Sequence, residues 1–381
     1  MNAPPFVTFL STAYQTEQYV PQMIESVLAQ TDPDWELVIV DNGRLDSMAD
    51  VIGRYTGDPR IRLLRQENRG VIGGFEAATS QATGTYVVPL SSDDEVVPAY
   101  VARMRELLTE HPEAVGVMCD AHLFSDGHEQ SFQRGLARSI GSRPARGTGE
   151  WLTKRDLFSG RLPYYCGVFL RSVWNDVGGY STRDDTVDEN IDLLLRVTDS
   201  GPIFVVSERL GRYRLRDDSL TRHSSSIEAF ERRVINSYQV YGEQAGPEDR
   251  ALARRTVRRI VNLQSLRRAR EAFVEGNVDL ARRESKTAWR QRRTVRSFGI
   301  MVSLHVAPGL LGMLHPAKRR ATEWMLVHSP IDWIRTRTIH GSPRSVSRGV
   351  RGASAGGTQP VAEASPSADT AVDEAANDGQ L

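Results

Sequence analysis

The chain has only two cysteines, Cys119 and Cys166, among its 381 residues. They show no CxxC spacing and have no pair of histidines beside them. That argues against a disulfide framework and a zinc site, and fits a reducing, cytosolic setting. Net charge is missing too: 48 Lys and Arg balance 48 Asp and Glu, so no overall field draws the protein to nucleic acid. No GxGxxG follows the first apolar run, and no GxxxxGK followed by Ser or Thr occurs anywhere. Both absences argue against a nicotinamide enzyme or a P-loop ATPase. The N-terminal residues lack a basic segment leading into a long apolar one, so no secretory signal is expected.

What is present centres on residues 86–98, YVVPLSSDDEVVP. The apolar run 86–90 is too short for a helix and rich in β-branched and aromatic residues, which predicts a buried strand. It stops at Ser91, Ser92, Asp93 and Asp94. Two adjacent carboxylates at a strand end repel each other unless a cation lies between them. Hard divalent ions such as magnesium or manganese take one or two carboxylates together with substrate phosphates. The plainer alternative is that Asp93 or Asp94 caps a helix beginning near Pro98.

The preceding chain alternates. Residues 6–10, 35–40 and 61–64 read as strands, and residues 19–28, 47–55 and 73–82 as helices. Such alternation predicts a mostly parallel, Rossmann-like sheet covered by helices on both faces, with ligands bound beyond the carboxyl ends of the strands. Thr12, Asp41, Asp93 and Asp94 all fall at that edge. Asn68 and Gly70 are expected to form a turn.

The stretches LSTAYQTEQYVPQMIESVLAQTDPDWELVIVDNG and NRGVIGGFEAATSQATGTYVVPLSSDDEVVP resemble the nucleotide-binding half of the family 2 glycosyltransferases, whose fold is the GT-A type. The likeness is strong over about the first 100 residues and weaker to about residue 222. It implies an inverting, hexosyltransferase-like, metal-dependent enzyme using a nucleotide-sugar donor and Mg²⁺ or Mn²⁺. Thr12, Tyr14 and Asp41 would hold the nucleoside, Asp93 the ribose, and Asp94 the metal at the diphosphate. For Tyr14, packing over the first helix is the competing reading.

Residues 99–111 read as a helix, 114–119 as a strand, and 120–148 as a loop-rich segment on the acceptor side, with His122 and His128 as solvated loop residues. Residues 164–171 read as another strand. The run DDTVDENIDLLLRV contains the main departure from the resemblance. The family carries a Glu-Asp pair there, its Asp serving as general base, and this chain has Glu189 and Asn190. An amide has no useful basicity, so the base falls to Glu189, with Asp188 as second choice. Asp192 is expected in the first turn of the following helix, where it suits the positive end of the dipole. After a strand at 203–207, the family's His-Pro-Gly-Ser loop is replaced by Arg216, Asp217, Asp218 and Ser219. Arg216 is expected to meet phosphate directly, with His223 as a weaker candidate.

Three regions follow: a glycosyltransferase domain at 1–225, a basic helical appendage at 226–340, and a tail at 341–381 too poor in large apolar residues to order itself. Within the second, residues 265–289 read as a helix pair turned at Gly276. The apolar run 298–314, flanked by Arg290, Arg292, Arg293, Arg296, Lys318, Arg319 and Arg320, is short for a membrane span. It suits either a helix lying on an anionic membrane surface or a core helix. The expected role is transfer of a sugar to an acceptor hydroxyl, on a glycan or lipid-linked acceptor, in polysaccharide or glycolipid synthesis. The expected location is cytoplasmic, peripheral on the inner face of the membrane. Two other classes compete: a sugar-nucleotide-binding scaffold of a glycan assembly complex, and nucleotidyl transfer, which would want a glycine- and lysine-rich loop after the first strand.

Overall fold

The computed structural model describes residues 3–309 except 45, 126–134, 140, 141, 143, 164, 181–185, 217–223 and 307. His128, His223 and the tail therefore lie outside the described residues. β1 (Val7–Ala13) buries Val7, Phe9 and Ala13 in one apolar cluster and Leu10 in another. β2 (Trp35–Asn42) does the same, with Leu37 and Ile39 on one side and Val38 and Val40 on the other. Strands buried on both faces are what unbroken apolar runs demand. Between them α1 (Val20–Leu28) starts with a proline in its first turn and buries Val20, Met23, Ile24 and Val27, a single helical stripe.

α2 (Asp46–Gly53), β3 (Ile61–Gln66), α3 (Gly70–Ser80), β4 (Tyr86–Pro89), β5 (Glu95–Val96) and α4 (Tyr100–Glu110) follow. α3 starts earlier than the residues 73–82 expected. Asn68 Oδ1 accepts the Gly70 N–H at 2.9 Å, and Gly70 has φ +70, a left-handed turn from which the helix begins at once. The capping alternative for the acid pair is not what forms: the N-cap of α4 is Ala99, with no side-chain cap, and β5 intervenes.

Next come β6 (Gly116–Phe124), α5 (Leu136–Ser139), β7 (Glu150–Leu152), α6 (Lys154–Phe158), β8 (Tyr165–Leu170), α7 (Arg171–Val177), α8 (Glu189–Ser200) and β9 (Ile203–Arg214). β6 and β9 outrun the strands expected at 114–119 and 203–207. They pair in parallel through residues whose pattern is polar, with register shifts either side of Asp120. His122 is thus a strand residue beside Arg212, not a loop residue, and burial, then Arg209 and Arg212, pushes its imidazole below the usual range. The nine-stranded sheet runs β3-β2-β1-β4-β8-β6-β9-β5, with β7 also on β9. β1 to β4 are parallel, while β8, β5 and β7 run antiparallel to their neighbours.

Four helices complete the described chain: α9 (Ser224–Gln244), α10 (Pro247–Val274), α11 (Val278–Gln291) and α12 (Val295–Val306). α10 and α11 are the expected pair, turning at Gly276 with φ +82. No helix among the described residues is long and apolar enough to cross a membrane.

Candidate active site

The register puts Asp41 of β2 opposite Ala13, the last residue of β1, and Leu90 donates its N–H to Leu10 O at 2.9 Å as β4 ends. The acids therefore stand on one edge, at the carboxyl ends of neighbouring strands. A hydrogen bond between the Thr16 and Ser92 hydroxyls, 2.9 Å, ties the loop after β1 to the SSDD turn. Two non-glycine residues hold positive φ among the described residues, and both stand just past these strand ends: Gln15 at 54° and Arg44 at 52°. Strain of this kind persists where surrounding structure enforces it and gathers at binding sites.

The expected nucleoside residues divide. Asp41 is buried, and Arg65 Nε donates to its Oδ2 at 3.1 Å while Nη2 reaches Asp46 at 2.9 Å. Thr12 lies against α3, where a Cβ on Gly74 would fall 2.0 Å from the Thr12 hydroxyl. Tyr14 is 46% exposed, and its ring meets no other ring or guanidinium among the described residues. That leaves a face on which a flat base can stack.

Asp93 and Asp94 are held from β9, more than a hundred residues downstream. Asp94 is buried, and its Oδ1 accepts the Arg214 backbone N–H at 2.7 Å. The Arg214 guanidinium donates to Asp93 O at 2.7 Å and Glu95 Oε1 at 3.0 Å. Arg216 donates to Asp93 Oδ2 at 2.9 Å. The three arginines at alternate positions of this segment interleave with aromatic faces. Phe124 lies under Arg212 and Arg214 at 4.9 and 4.4 Å, and Tyr19 under Arg214 and Arg216 at 4.9 and 4.6 Å. The aromatic faces and paired acids let three like charges stand together. The residue expected to meet phosphate is thus bonded to the residue expected to meet ribose.

A divalent ion suits this donor set. The pair offers only hard oxygen, as Mg²⁺ and Mn²⁺ prefer. No group of three His, Cys, Asp or Glu able to hold a metal occurs among the described residues. The protein would therefore supply one or two ligands from Asp93 and Asp94, leaving the rest to water and phosphate.

α8 begins beside the same edge. Tyr180 stacks on Phe75 of α3 at 5.1 Å and donates its hydroxyl to Asn190 Oδ1 at 3.1 Å. Asp188 is the N-cap: it is fully buried, its Oδ1 accepts the Ile191 N–H at 3.0 Å, and its own N–H goes to Ser237 of α9 at 2.8 Å. Burial, then the charge of Glu189, pushes the Asp188 carboxyl up to about 6. Glu189 is partly exposed and stands 3.0 Å from Arg233 of α9. Asp192 does occupy the first turn, but it is buried and accepts from both Arg196 and Tyr241.

Arg65, Arg214 and Arg233 were missing from the residues picked out by sequence. For Arg214 a signal existed, since Arg212, Arg214 and Arg216 alternate as one face of a strand does.

Residues 8–167 match the family Glycosyl transferase family 2. A hyaluronan synthase of Pasteurella multocida is 26% identical over 206 residues, 53% of this chain and 19% of its own. The succinoglycan biosynthesis protein ExoO of Rhizobium meliloti is 37% identical over 112 residues, 28% of this chain and 32% of its own. The chain thus spans a fifth to a third of these relatives. Among solved structures, S. aureus TarS superposes with a TM-score of 0.53 at 14% identity, covering 78% of this chain and 55% of that one. TarS 1-349 in complex with UDP-GlcNAc gives 0.50 at 13%, covering 76% and 92%. At such identity these two speak for the fold alone, a GT-A sheet followed by C-terminal helices. The paired acids at the sheet edge stand within residues 8–167, the region of the chain that matches glycosyl transferase family 2.

Proposed function

We propose that the protein transfers a sugar from a nucleotide-sugar donor to an acceptor hydroxyl with inversion, in the synthesis of a surface polysaccharide or glycolipid. The observation that carries this reading is that Asp93 and Asp94, held by Arg214 and Arg216, follow a strand ending on the same edge of the sheet as the strand that carries Asp41. The solved TarS complex contains UDP-GlcNAc, and several relatives are named for polysaccharide synthesis. We extend a uridine-type donor to this chain from those names.

In this reading Tyr14 stacks on the base, Asp41 accepts its N–H, and Asp93 accepts from the ribose hydroxyls. A divalent ion held by Asp94, with Asp93 beside it, would neutralise the departing diphosphate. Arg216 leaves Asp93 for a phosphate oxygen, a charge-assisted contact of the same kind. Glu189 takes the proton of the acceptor hydroxyl as that oxygen forms its bond to the anomeric carbon and the carbon–phosphate-oxygen bond breaks. Arg233 fixes the carboxylate in place, while Asp188 serves as the helix cap that sets the start of α8.

The test is a panel of sugar nucleotides with Mn²⁺, read first by thermal stabilisation, since a ligand of the folded state alone raises its stability. Transfer and donor hydrolysis are then measured with the stabilising donor. Stabilisation by one nucleotide family, lost in Asp94→Asn, is the expected result; no stabilisation by any of them defeats the reading. Asn190 in the family's base position favours a second reading, a donor-binding scaffold. Binding without transfer or hydrolysis would select it, and full turnover by Glu189→Gln would remove Glu189 as the base.

A further inference from the structure

α12 carries four of the ten large apolar side chains exposed among the described residues: Val295, Phe298, Val302 and Val306. Their spacing places all four on one face of a helix. The opposite face is moored. Leu304 is buried in a cluster with Ala272 and Ala281, Ile300 packs on that cluster, and Arg282 Nε donates to Leu304 O at 3.0 Å. Ser297 is buried as well, sharing hydrogen bonds with Thr294. α12 is therefore fixed on the protein by one side while its apolar side looks out. Val295 is 92% and Val306 78% exposed, which is far from the partial exposure of scattered surface residues.

Charge says what covers this face. From Ser285 to Thr322 the sequence contains no Asp or Glu and eight Lys and Arg. Arg290, Arg292, Arg293 and Arg296 are exposed. On the helix, Arg296 borders the apolar stripe on one side and His305 on the other. A partner surface must then be apolar beneath and anionic above, as a bilayer with acidic headgroups is. Among the described residues the helix has 12 residues, about 18 Å of length, which suits lying flat and falls short of a span.

We propose that α12 docks the protein in the plane of a membrane containing anionic lipid. Val295, Phe298, Val302 and Val306 enter the headgroup layer, and Arg292, Arg293 and Arg296 meet lipid phosphates. The inference stands apart from the donor reading, because it uses none of those residues.

The experiment is sedimentation of the full chain with vesicles of pure phosphatidylcholine and of phosphatidylcholine mixed with phosphatidylglycerol. Binding is expected only to the mixed vesicles and is expected to weaken with added salt. Val295→Ser with Val306→Ser, the two most exposed members of the stripe, is expected to lower vesicle affinity about tenfold, and each of Arg292→Gln, Arg293→Gln and Arg296→Gln about fivefold. Melting temperature and solution mass should stay at the parent values, since the altered side chains are exposed. Failure of the full chain to sediment with the mixed vesicles overturns the proposal, as does undiminished binding by the serine variant. A serine variant that melts lower, or dissociates from a dimer, also overturns it, assigning the face to residues 310–341 or to a second copy.

Discussion

Asp188 caps α8 through its Oδ1 while burial pushes its carboxyl up to about 6 from an unperturbed 3.8. Between those values the folded chain holds a proton that the unfolded chain has released. The stability linked to this group is complete below about pH 4 and is lost as pH rises through about 6, so ionised Asp188 costs about 3 kcal/mol at about pH 8. Asp188→Asn keeps an oxygen for the Ile191 N–H and removes the charge. It should gain up to about 3 kcal/mol at about pH 8 and almost nothing at about pH 4, measured by urea unfolding at both; equal shifts at the two would contradict the burial argument. Arg214 is the opposite case, a buried cation satisfied by Asp93 O and Glu95 and stacked between Tyr19 and Phe124. Arg214→Met strands Asp93 O and part of Glu95, and a loss of about 3 kcal/mol is expected. If Arg214 also sets the acid pair, donor affinity should fall in the same variant, read by titration at a temperature where it is folded. The strand-end placement of Asp41, Asp93 and Asp94 was legible in sequence because these acids closely follow unbroken apolar runs. Their arginine partners were not, since a surface-like arginine in sequence gives no sign of the distant carboxylate that will neutralise it.

Strands with an apolar pattern were readable as elements, and those with another source of burial were not. β1, β2 and β4 announce themselves by unbroken apolar runs, but the last eight residues of β9, SERLGRYR, bury Arg214 against Glu95, Tyr19 and Phe124. Periodicity of hydrophobic residues cannot register a strand whose inward face is charged. β6 hid for a related reason, its pairing with β9 passing through irregular register at Asp120. α3 shows how closely these elements meet at the site. A Cβ on Gly74 would stand 2.0 Å from Thr12 Oγ1 and 2.7 Å from Thr12 Cβ, while one on Gly84 would meet the Thr8 backbone N at 2.7 Å. A β-branched threonine has little rotamer freedom with which to yield. Gly74→Ala is therefore expected to cost about 1–3 kcal/mol and to weaken donor binding by shifting Thr12, whereas Gly84→Ala should cost about as much at the far end of β1 without touching the donor. Thermal melts with and without the stabilising nucleotide separate the two: the ligand-induced rise should shrink in the first variant and persist in the second.

Across the whole molecule, composition changes near residue 226, where strands give way to arginine-rich helices, and that change is visible in sequence. What composition could not convey is that the core runs through it. Val234, Tyr238 and Ala253, on α9 and α10, belong to the same apolar cluster as Leu10, Val40, Ile191 and Leu195. Polar ties follow the same route: Ser237 accepts the Asp188 N–H, Arg233 meets Glu189, Tyr241 donates to Asp192, and Thr256 donates to Phe158 O at 2.9 Å. Small and amphipathic residues such as Ala253 and Thr256 make such a helix look solvated in sequence, yet they let it approach closely. α9 and α10 are thus the outer wall behind α8, whose first turn holds Glu189. A chain ending after residue 225 keeps β1 to β9 but removes Val234, Tyr238 and Ala253 from that shared cluster, and leaves Asp188, Glu189 and Asp192 without Ser237, Arg233 and Tyr241. Each buried side chain uncovered there forfeits about 1.5–3 kcal/mol, against a total stability of about 5–15 kcal/mol. The shortened chain should therefore aggregate or melt without a cooperative transition, while one ending after residue 309 should melt as a unit, both followed by circular dichroism. A stable, donor-binding fragment of residues 1–225 would mean that the helices merely decorate a finished sheet.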